Sequence, residues 1–292
     1  MTASTSKPQA IYGIIGFPVE HSLSPFMHNT AFKELGVNAI YKFFPLKEDE
    51  LDSFFADLKK SDSPIFGLNV TVPYKERVIP YLDNITPFAK RAMSVNTIVI
   101  SKDRKLTGHN TDGPGFLAHL TELGVDIRNK RIAILGAGGT TRAILTAICL
   151  LPEQPEVVRL YNRTVSKAHE LVADLEQRIS MGRVEVVSSI DALNIELADI
   201  LINTTSVGMK KEDPCLVDPE EIHEDMLVYD VIYVPEETKL LKLARQKGAK
   251  VANGLEMLFY QGILAFQHWA NLQLDDTIKK KMRQSLKEKR VI

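Results

Sequence analysis

The chain has 292 residues, 45% hydrophobic and 25% charged, a composition typical of a globular protein with one large or two medium-sized domains. Its formal net charge of −1 does not indicate a nucleic acid or an anionic membrane surface as a partner. Cys149 and Cys215 are the two cysteines, and their spacing suits a reducing compartment rather than a disulfide framework or a metal site. Because no apolar core follows the N-terminus and no apolar run is long enough to span a membrane, we expect a cytoplasmic protein. None of the seven histidines has the spacing of metal ligands, so we expect no bound metal.

The first elements place two serines beside a predicted helix. Ala10–Gly16 is predicted to be a strand, and a loop rich in hydroxyl groups leads to a helix predicted over Phe26–Leu35. Ser24 precedes Pro25, as an N-cap residue often does. Ser22 and Ser24 therefore allow two interpretations: they shape and cap the turn, or their hydroxyls bind a carboxylate near a helix N-terminus.

A polar face marks the next predicted strand. Phe66–Lys75 is a strand that runs into a proline turn, and its alternation places Asn69 and Thr71 on one face. Lys75 lies just beyond the strand. An isolated lysine after a turn is usually a solvated charge, so only its neighbours can give it a function.

A predicted hairpin follows, formed by Val95–Ile100 and Lys105–Asn110. Asn96 lies in its first strand, and Asp112 precedes a helix predicted over Phe116–Leu123. Turn chemistry alone would explain short polar groups at these places.

The clearest local signal is a glycine turn between a strand and a helix. Ile132–Leu135 is a continuous apolar run, Gly136–Gly139 follows at once, and Arg142–Leu151 is compatible with a helix. This context is the one required by a dinucleotide-binding fingerprint, in which the backbone approaches a pyrophosphate at the helix N-terminus. Thr141 stands where the fingerprint usually has Gly or Ala, and the glycine spacing alone leaves a plain turn as the alternative.

The end of the next strand predicts which cofactor is bound. Val157–Tyr161 is followed by Asn162, Arg163 and Thr164, with Lys167 close behind. An acidic residue here would bind the ribose hydroxyl of NAD, whereas arginine accommodates the 2′-phosphate of NADP. The sequence therefore favours NADP over NAD, and a helix cap at Thr164 is compatible with that interpretation.

The remaining chain predicts the fold class. Strands over 184–187, 199–203 and 227–233 alternate with helices over 166–179 and 238–247, which indicates a doubly wound parallel sheet. A domain-sized stretch precedes the fingerprint, so a substrate domain is expected before the nucleotide domain. An apolar helix over 255–269 contains Gln261, and an amphipathic helix is predicted over 276–289.

Taken together, these stretches resemble the shikimate dehydrogenase family. The matching segments occur in the family order over nearly the whole chain: FPVEHSLSPFMH (17–28), GLNVTVPYK (67–75), VNT (95–97), GHNTDG (108–113), GAGGTTRA (136–143), NRTVSK (162–167), NTTSVGM (203–209) and NGLEMLFYQ (253–261). Each segment is weak alone, but the ordered set is highly specific.

The resemblance implies a two-domain α/β architecture. Residues 1–111 plus 254–292 would form an α/β substrate-binding domain, and residues 112–253 a Rossmann-like NADP-binding domain, with the C-terminal helices returning to the first domain. The implied reaction is the reversible, NADPH-dependent reduction of 3-dehydroshikimate to shikimate, in aromatic amino acid biosynthesis.

The resemblance also implies roles for individual residues. Lys75 and Asp112 would be the catalytic pair, in which lysine takes or returns the hydroxyl proton and aspartate orients the ammonium; which of the two dominates proton transfer stays open. Ser22 and Ser24 would bind the substrate carboxylate. The other implied substrate-binding residues are Asn69, Thr71, Asn96, Tyr233 and Gln261. The implied cofactor-binding residues are Gly136, Ala137, Gly138, Gly139, Thr140, Asn162, Arg163, Thr164, Lys167, Thr205, Val231 and Gly254.

Two departures from the family pattern bear on specificity. Met93-Ser94 stands where the family more often has Gly-Ala, and Glu256 where it often has Gly. The main alternative is a quinate/shikimate dehydrogenase that uses NAD; a more remote one is a nucleotide-sensing protein that lost catalysis. The partners expected are a small-molecule substrate and, at most, a second copy of the chain, since the sequence leaves monomer and homodimer open.

Overall fold

A computed structural model describes residues 9–289 of the chain. The N-terminal stretch from which the absence of a leader was predicted lies almost wholly outside the described residues. The described chain forms two units. The first comprises the chain through Ala89, Val95–Thr111 and the chain from Gly262 onward, and the second comprises Lys90–Ser94 and Asp112–Gln261.

Strands and helices alternate along the described chain. The strands are β1 (Ala10–Gly16), β2 (Ala39–Pro45), β3 (Ile65–Val70), β4 (Asn84–Ile85), β5 (Thr97–Ile100), β6 (Leu106–His109), β7 (Arg131–Leu135), β8 (Val157–Tyr161), β9 (Val184–Val186), β10 (Ile200–Asn203), β11 (Leu227–Asp230) and β12 (Lys250–Ala252). The α-helices are α1 (Ser24–Glu34), α2 (Leu51–Leu58), α3 (Pro87–Ala92), α4 (Asp112–Glu122), α5 (Gly139–Cys149), α6 (Val165–Glu176), α7 (Lys239–Gln246), α8 (Leu255–Ala270) and α9 (Asp276–Lys289).

The first unit is built on a mixed sheet with the order β2-β1-β3-β5-β6-β4. Strand β1 pairs in parallel with β2 and β3, and β3 pairs antiparallel with β5. The register Thr97↔His109 joins β5 to β6 and confirms the predicted hairpin. Apolar side chains of α2 and of the sheet, among them Leu58, Leu68 and Ile98, form the buried core of this unit.

The C-terminal helix α9 packs on α1 of the same unit. Ile278, Met282 and Leu286, spaced four residues apart, are buried, while Lys281 on α9 forms an ion pair with Glu34 on α1. The predicted amphipathic helix and its return to the first domain are therefore both confirmed.

The second unit is built on an all-parallel sheet with the order β12-β11-β10-β7-β8-β9. The chain starts in the middle at β7, continues outward through β8 and β9, and then returns to build β10, β11 and β12 on the other side. This is the predicted doubly wound topology, and its order reverses between β7 and β10. Ile132 and Ile134 of β7 face one core and Ala133 and Leu135 the other, which explains the continuous apolar run.

Some predicted boundaries were wrong, and two helix starts concern site residues. Helix α1 begins at Ser24, and its N-cap residue is Leu23, so Ser24 lies in the helix instead of capping it. Helix α4 begins at Asp112, four residues before the predicted start at Phe116. The polar and glycine residues of the first turn obscured the apolar periodicity from which that start was predicted.

Strand ends were also predicted too far along the chain. Strand β3 ends at Val70 and β11 at Asp230, so Thr71 and Tyr233 lie in the loops that follow. The apolar and polar alternation from which the strands were predicted continues into these loops. Within residues 9–289, no helix combines the length and apolarity that crossing a membrane requires.

Candidate active site

The two serines of the first unit lie in contact at the start of α1. The Ser22 hydroxyl donates to the Ser24 hydroxyl at 3.1 Å and accepts from the Ser24 backbone N–H at 3.3 Å. Both residues are buried, although Ser24 lies in the first turn of a helix. Paired hydroxyls at a helix N-terminus suit an anionic oxygen, because the first backbone N–H groups and the helix dipole favour negative charge there.

A buried polar network joins the ends of β3, β5 and β6. The Asn69 side-chain amide donates to the Asn96 carbonyl at 3.2 Å. The Asn96 Oδ1 accepts from the Thr111 backbone N–H at 2.7 Å, and its Nδ2 donates to the Thr111 hydroxyl at 2.9 Å. Both asparagines predicted to bind substrate therefore belong to one network. Thr111, which immediately precedes Asp112, was missed in the sequence because a threonine in a turn carries no distinctive signal.

The backbone around Lys75 is held from both sides. The Tyr74 side chain is 2% exposed, and its hydroxyl donates to the Leu46 carbonyl at 2.6 Å. The Lys75 carbonyl accepts from the Val95 N–H at 2.7 Å. Thr71, four residues earlier, is fixed by a backbone bond to Ile15 at 2.9 Å. The turn that carries Thr71 and Lys75 is therefore rigidly attached to the sheet.

The second unit places Asp112 and Gln261 on two helices that pack closely. Asp112 is buried in the first turn of α4. Gly115, one turn later, lies so near α8 that an added Cβ would stand 2.8 Å from the Gln261 backbone nitrogen. Gln261 is buried and donates from Nε2 to the Leu258 carbonyl at 2.9 Å. The predicted pairing of Lys75 with Asp112 involves residues of both units, and it stays a prediction.

In the turn between β7 and α5, Gly136 and Gly138 are glycine for different reasons. Gly136 has φ of +112°, and an added Cβ would lie 2.4 Å from the Thr204 hydroxyl, so a side chain is excluded by both conformation and space. At Gly138, by contrast, an added Cβ would meet nothing within 4 Å. The space above Gly138, at the N-terminus of α5, is therefore open, as the predicted approach of a pyrophosphate would require.

Thr141 has a structural role that the sequence did not reveal. It is fully buried; its hydroxyl accepts from the Gly138 N–H at 3.2 Å and lies 2.8 Å from the Thr204 hydroxyl. Thr204 in turn donates to the Leu135 carbonyl at 2.6 Å. The departure from the usual fingerprint therefore connects the glycine turn to the end of β10.

Two basic residues after β8 face solvent. Arg163 and Lys167 are exposed, and neither forms an ion pair with any residue in the described range 9–289. Two nearby arginines are neutralised instead: Arg142 pairs with Asp174 at 2.6 Å, and Arg159 pairs with Glu185 at 3.1 Å. Arg163 and Lys167 therefore keep their positive charge available to an anion. Thr164 occupies the N-cap position of α6 without a side-chain cap hydrogen bond, while Asn162 donates to its carbonyl at 2.8 Å.

A buried carboxylate organises the loops after β10 and β11. Asp230 accepts from the Asn203 amide at 3.0 Å, from the Ile232 N–H at 3.1 Å and from the Thr238 hydroxyl at 2.8 Å. Asn203 in turn accepts from the Thr205 N–H and hydroxyl at 3.0 and 2.7 Å. Burial raises the pKa of Asp230 to about 6 because desolvation disfavours the charged form.

Sequence reasoning treated Asn203 and Asp230 only as strand residues. The signal that would have identified them is their position: each is the last residue of one of two neighbouring parallel strands. The carboxyl edge of such a sheet is where ligands bind.

The predicted cofactor residues Val231 and Gly254 approach each other closely. The Gly254 N–H donates to the Ile232 carbonyl at 3.0 Å. An added Cβ at Gly254 would stand 1.9 Å from the Val231 carbonyl oxygen. Glycine is therefore required here by space, and the backbone before α8 lies directly on the loop after β11.

The structure shows what Met93 and Ser94, which depart from the family pattern, do in the fold. Met93 has φ of +47°, a left-handed conformation that glycine adopts more readily, which accounts for the glycine the family more often has there. Ser94 is fully buried, and its hydroxyl donates to the Gly139 carbonyl at 3.1 Å. The serine thus contacts the glycine turn directly.

Comparison with known proteins decides the family. The model of the shikimate dehydrogenase substrate binding domain matches residues 14–98. A shikimate dehydrogenase (NADP(+)) from Carboxydothermus hydrogenoformans is 41% identical over 273 residues, covering 92% of this chain and 94% of that protein. This chain belongs to the shikimate dehydrogenase family.

Solved structures of the family and of a related enzyme have the same fold. The crystal structure of shikimate dehydrogenase from Aquifex aeolicus is 40% identical, covers 94% of this chain and 97% of its own, and superposes with a TM-score of 0.84. Quinate dehydrogenase from Corynebacterium glutamicum, solved in complex with NAD, is 28% identical over 96% of this chain and 99% of its own, with a TM-score of 0.85. The two-domain α/β architecture predicted from the sequence is confirmed, with an N-terminal substrate-binding domain and a Rossmann-like domain.

Proposed function

We propose that this chain catalyses the reversible, NADPH-dependent reduction of 3-dehydroshikimate to shikimate. The observation that carries the proposal is the similarity to shikimate dehydrogenases over nearly the whole chain. The side chains that this reaction needs are all present, namely the paired serines, the fixed loop of Lys75, and Asp112 at the start of α4.

Each domain has a role in this proposal. Residues 1–111 plus 254–292 bind the substrate, and residues 112–253 bind NADP(H). Ser22 and Ser24 hold the carboxylate; Asn69, Thr71, Asn96, Tyr233 and Gln261 hold the remaining polar groups of the substrate.

The cofactor supplies or accepts a hydride, and the chain handles the accompanying proton. When shikimate is oxidised, the hydroxyl at the reacting carbon loses its proton to Lys75, and in the reverse direction the ammonium returns it. Asp112 orients the lysine and accepts from a neighbouring substrate hydroxyl. A positioned general acid–base group of this kind contributes about 10²–10⁴-fold to the rate.

The residues after β8 fit NADP better than NAD. Arg163 and Lys167 are exposed and not neutralised by neighbouring carboxylates, and arginine binds phosphate with a planar array of donors. The space at Gly138 accommodates the pyrophosphate. The other residues assigned to the cofactor are Gly136, Ala137, Gly139, Thr140, Asn162, Thr164, Thr205, Val231 and Gly254.

The alternative substrate and cofactor pair is quinate with NAD. It is favoured by the similarity to a quinate dehydrogenase solved with NAD, and it is opposed by Arg163. We further propose that the protein acts in a reducing cytoplasm as a monomer or homodimer, without a nucleic acid or membrane partner; its two free cysteines are compatible with that compartment.

The first experiment is to follow the absorbance of reduced nicotinamide after mixing the purified protein with shikimate or quinate, each with NADP⁺ or NAD⁺. Turnover mainly with shikimate and NADP⁺ supports the proposal. Turnover mainly with quinate and NAD⁺ would overturn the specificity but not the chemistry. Absence of turnover in every pair, together with tight cofactor binding, would favour a nucleotide-sensing protein.

A further inference from the structure

The polar network of the first unit begins at a buried tyrosine that has so far had no role. Tyr41, in β2, is 2% exposed. Its hydroxyl donates to the Asn69 Oδ1 at 2.7 Å. The ring is held in place by stacking on His28, with ring centroids 4.5 Å apart, and by Trp269 at 6.0 Å.

The orientation of the Asn69 amide follows from its neighbours. Its Nδ2 lies 3.2 Å from the Asn96 carbonyl and 3.2 Å from the Thr97 hydroxyl. A backbone carbonyl only accepts, so the nitrogen must face Asn96 and the oxygen must face Tyr41. Both amide hydrogens are then donated inside the protein, and only acceptor capacity is left at Oδ1.

The hydrogen bonds continue from Asn69 to Thr97, Asn96 and Thr111. Thr97 accepts from Asn69 and donates to the Asn96 Oδ1 at 3.1 Å. The Asn96 Nδ2 donates to the Thr111 hydroxyl at 2.9 Å. The chain of donors therefore runs from Tyr41 through Asn69, Thr97 and Asn96 to Thr111, the residue before Asp112. The Thr111 N–H and hydroxyl donate back to the Asn96 Oδ1 at 2.7 and 3.2 Å and close the network. Hydrogen bonds linked in this way polarise and strengthen one another.

We propose that Tyr41 is a positioning residue: by donating to the Asn69 Oδ1 it holds the amide of Asn69 in place, and through the network it holds that of Asn96 as well. The inference rests on the proposed function, since it assumes that Asn69 and Asn96 face the substrate. It also specifies which substrate group Asn69 binds. Because only an acceptor is left at its Oδ1, Asn69 binds a substrate hydroxyl and not the carboxylate.

The neighbouring His28 supplies no charge to this chain. It is fully buried, and burial lowers the pKa of its imidazole to about 3, although the nearby Asn69 amide favours the protonated ring. Neither ring nitrogen makes a well-formed hydrogen bond to a residue within 9–289. We therefore assign His28 to stacking on Tyr41, and the tyrosine hydroxyl remains the group that holds the amide oxygen in place.

The test is Tyr41→Phe, with Tyr12→Phe as the matched control. Tyr12 lies in the same aromatic cluster, 5.3 Å from Trp269, but its hydroxyl has no hydrogen-bond partner within residues 9–289. We expect Tyr41→Phe to raise the KM for shikimate about tenfold. The kcat and the KM for NADP⁺ should stay within about threefold of the wild type, and Tyr12→Phe should leave all three unchanged.

A second pair of variants interrupts the chain at its midpoint. Thr97→Val removes the hydroxyl at nearly constant volume, and Thr97→Ser keeps it. We expect the KM for shikimate to rise in the first and to return toward the wild-type value in the second. Monodeoxy analogues of shikimate identify the substrate hydroxyl that donates to Asn69. Removal of that hydroxyl should raise the KM less in Tyr41→Phe than in the wild type.

The outcomes separate the two proposals. A folded wild type that does not turn over shikimate would overturn the proposed function and the substrate-facing role of the asparagines with it. An active wild type whose KM for shikimate is the same in Tyr41→Phe as in Tyr12→Phe would overturn the role of Tyr41 alone. The same conclusion would follow if Thr97→Ser were as impaired as Thr97→Val.

Discussion

The proposed chemistry depends most on Lys75, because this residue takes and returns the proton. Replacing it by alanine should lower kcat by about 10²–10⁴-fold, while its rigidly held loop should keep the fold intact. Steady-state kinetics together with a circular-dichroism melting curve measures both effects. Lys42→Ala, on an exposed position of β2, is the control, and an unchanged kcat in Lys75→Ala would remove the residue from the mechanism.

Arg163 carries the cofactor preference. In Arg163→Gln we expect the KM for NADP⁺ to rise about 10- to 100-fold, because the charge-assisted bond to the 2′-phosphate is lost, and the KM for NAD⁺ to change little. Arg183→Gln is the matched control, since Arg183 is already paired with Glu185 at 2.8 Å. Equal losses with both cofactors would show that Arg163 does not discriminate between them.

Gly138 separates a cofactor effect from a folding effect. An alanine there meets no protein atom within 4 Å, so the free energy of unfolding should change by less than about 1 kcal/mol. The new methyl group enters the space that we assign to the pyrophosphate, so the KM for NADP⁺ should rise at least about tenfold.

At Gly254, unlike Gly138, we expect an alanine to destabilise the fold, because the backbone there is in close contact with another segment. Gly254→Ala forces a methyl group against the Val231 carbonyl, and we expect it to destabilise the fold by about 1–3 kcal/mol. Urea unfolding of both glycine variants distinguishes the two positions. A Gly138→Ala protein as unstable as Gly254→Ala would contradict the interpretation of the open turn.

At the scale of elements, Asp230 connects β10, β11 and the start of α7. Its pKa is raised from 3.8 to about 6, above that of the unfolded chain. The stabilising contribution of this group is therefore present below about pH 4 and is lost as the pH rises through 6, by up to about 3 kcal/mol. Asp230→Asn should lack this loss.

The measurement is the free energy of unfolding from pH 4 to 8, compared between wild type and variant. The contributions of other titrating groups cancel in the difference, so the difference itself should change with pH. Asp225→Asn, at an exposed position, is the control for the removal of a carboxylate as such. A constant difference for Asp230→Asn would contradict the raised pKa.

Much of the element order could be predicted from sequence because the pattern there is local. The apolar run of β7, the hairpin, and the amphipathic helix α9 each follow from the periodicity of their own residues. The ends of elements could not be predicted as well. Asp112 begins a helix, and Asp230 ends a strand three residues earlier than predicted, because the backbone conformation and not the hydrophobic pattern decides where an element stops.

The structural roles of Thr141 and Thr111 could not be predicted from the sequence, because they depend on long-range contacts. Each hydroxyl acts on a residue distant in sequence: Thr141 on Thr204, and Thr111 on Asn96. Such partners are known only once the sheet order is known. The strand, glycine turn and helix could be predicted because they lie within one short segment, while the cofactor-binding role of the basic pair after β8 stays a prediction.

For the whole molecule, cofactor binding should increase the stability of the folded state. A ligand that binds only the folded state stabilises it by about 2.7 kcal/mol at 100 times its Kd. We therefore expect millimolar NADP⁺ to raise the melting temperature by several degrees and the same concentration of NAD⁺ to raise it less. Equal shifts would contradict the predicted preference, and Arg163→Gln should abolish the difference.

The position of one indole group has a practical consequence. Trp269 is the only tryptophan of the chain, and its Nε1–H donates to the Ile98 carbonyl within the first unit. Intrinsic fluorescence excited at the indole band therefore reports on that unit alone, while far-ultraviolet dichroism reports on both. Two superimposable melting curves would mean that the units unfold together. A gap between the curves would measure directly how much stability one unit has without the other.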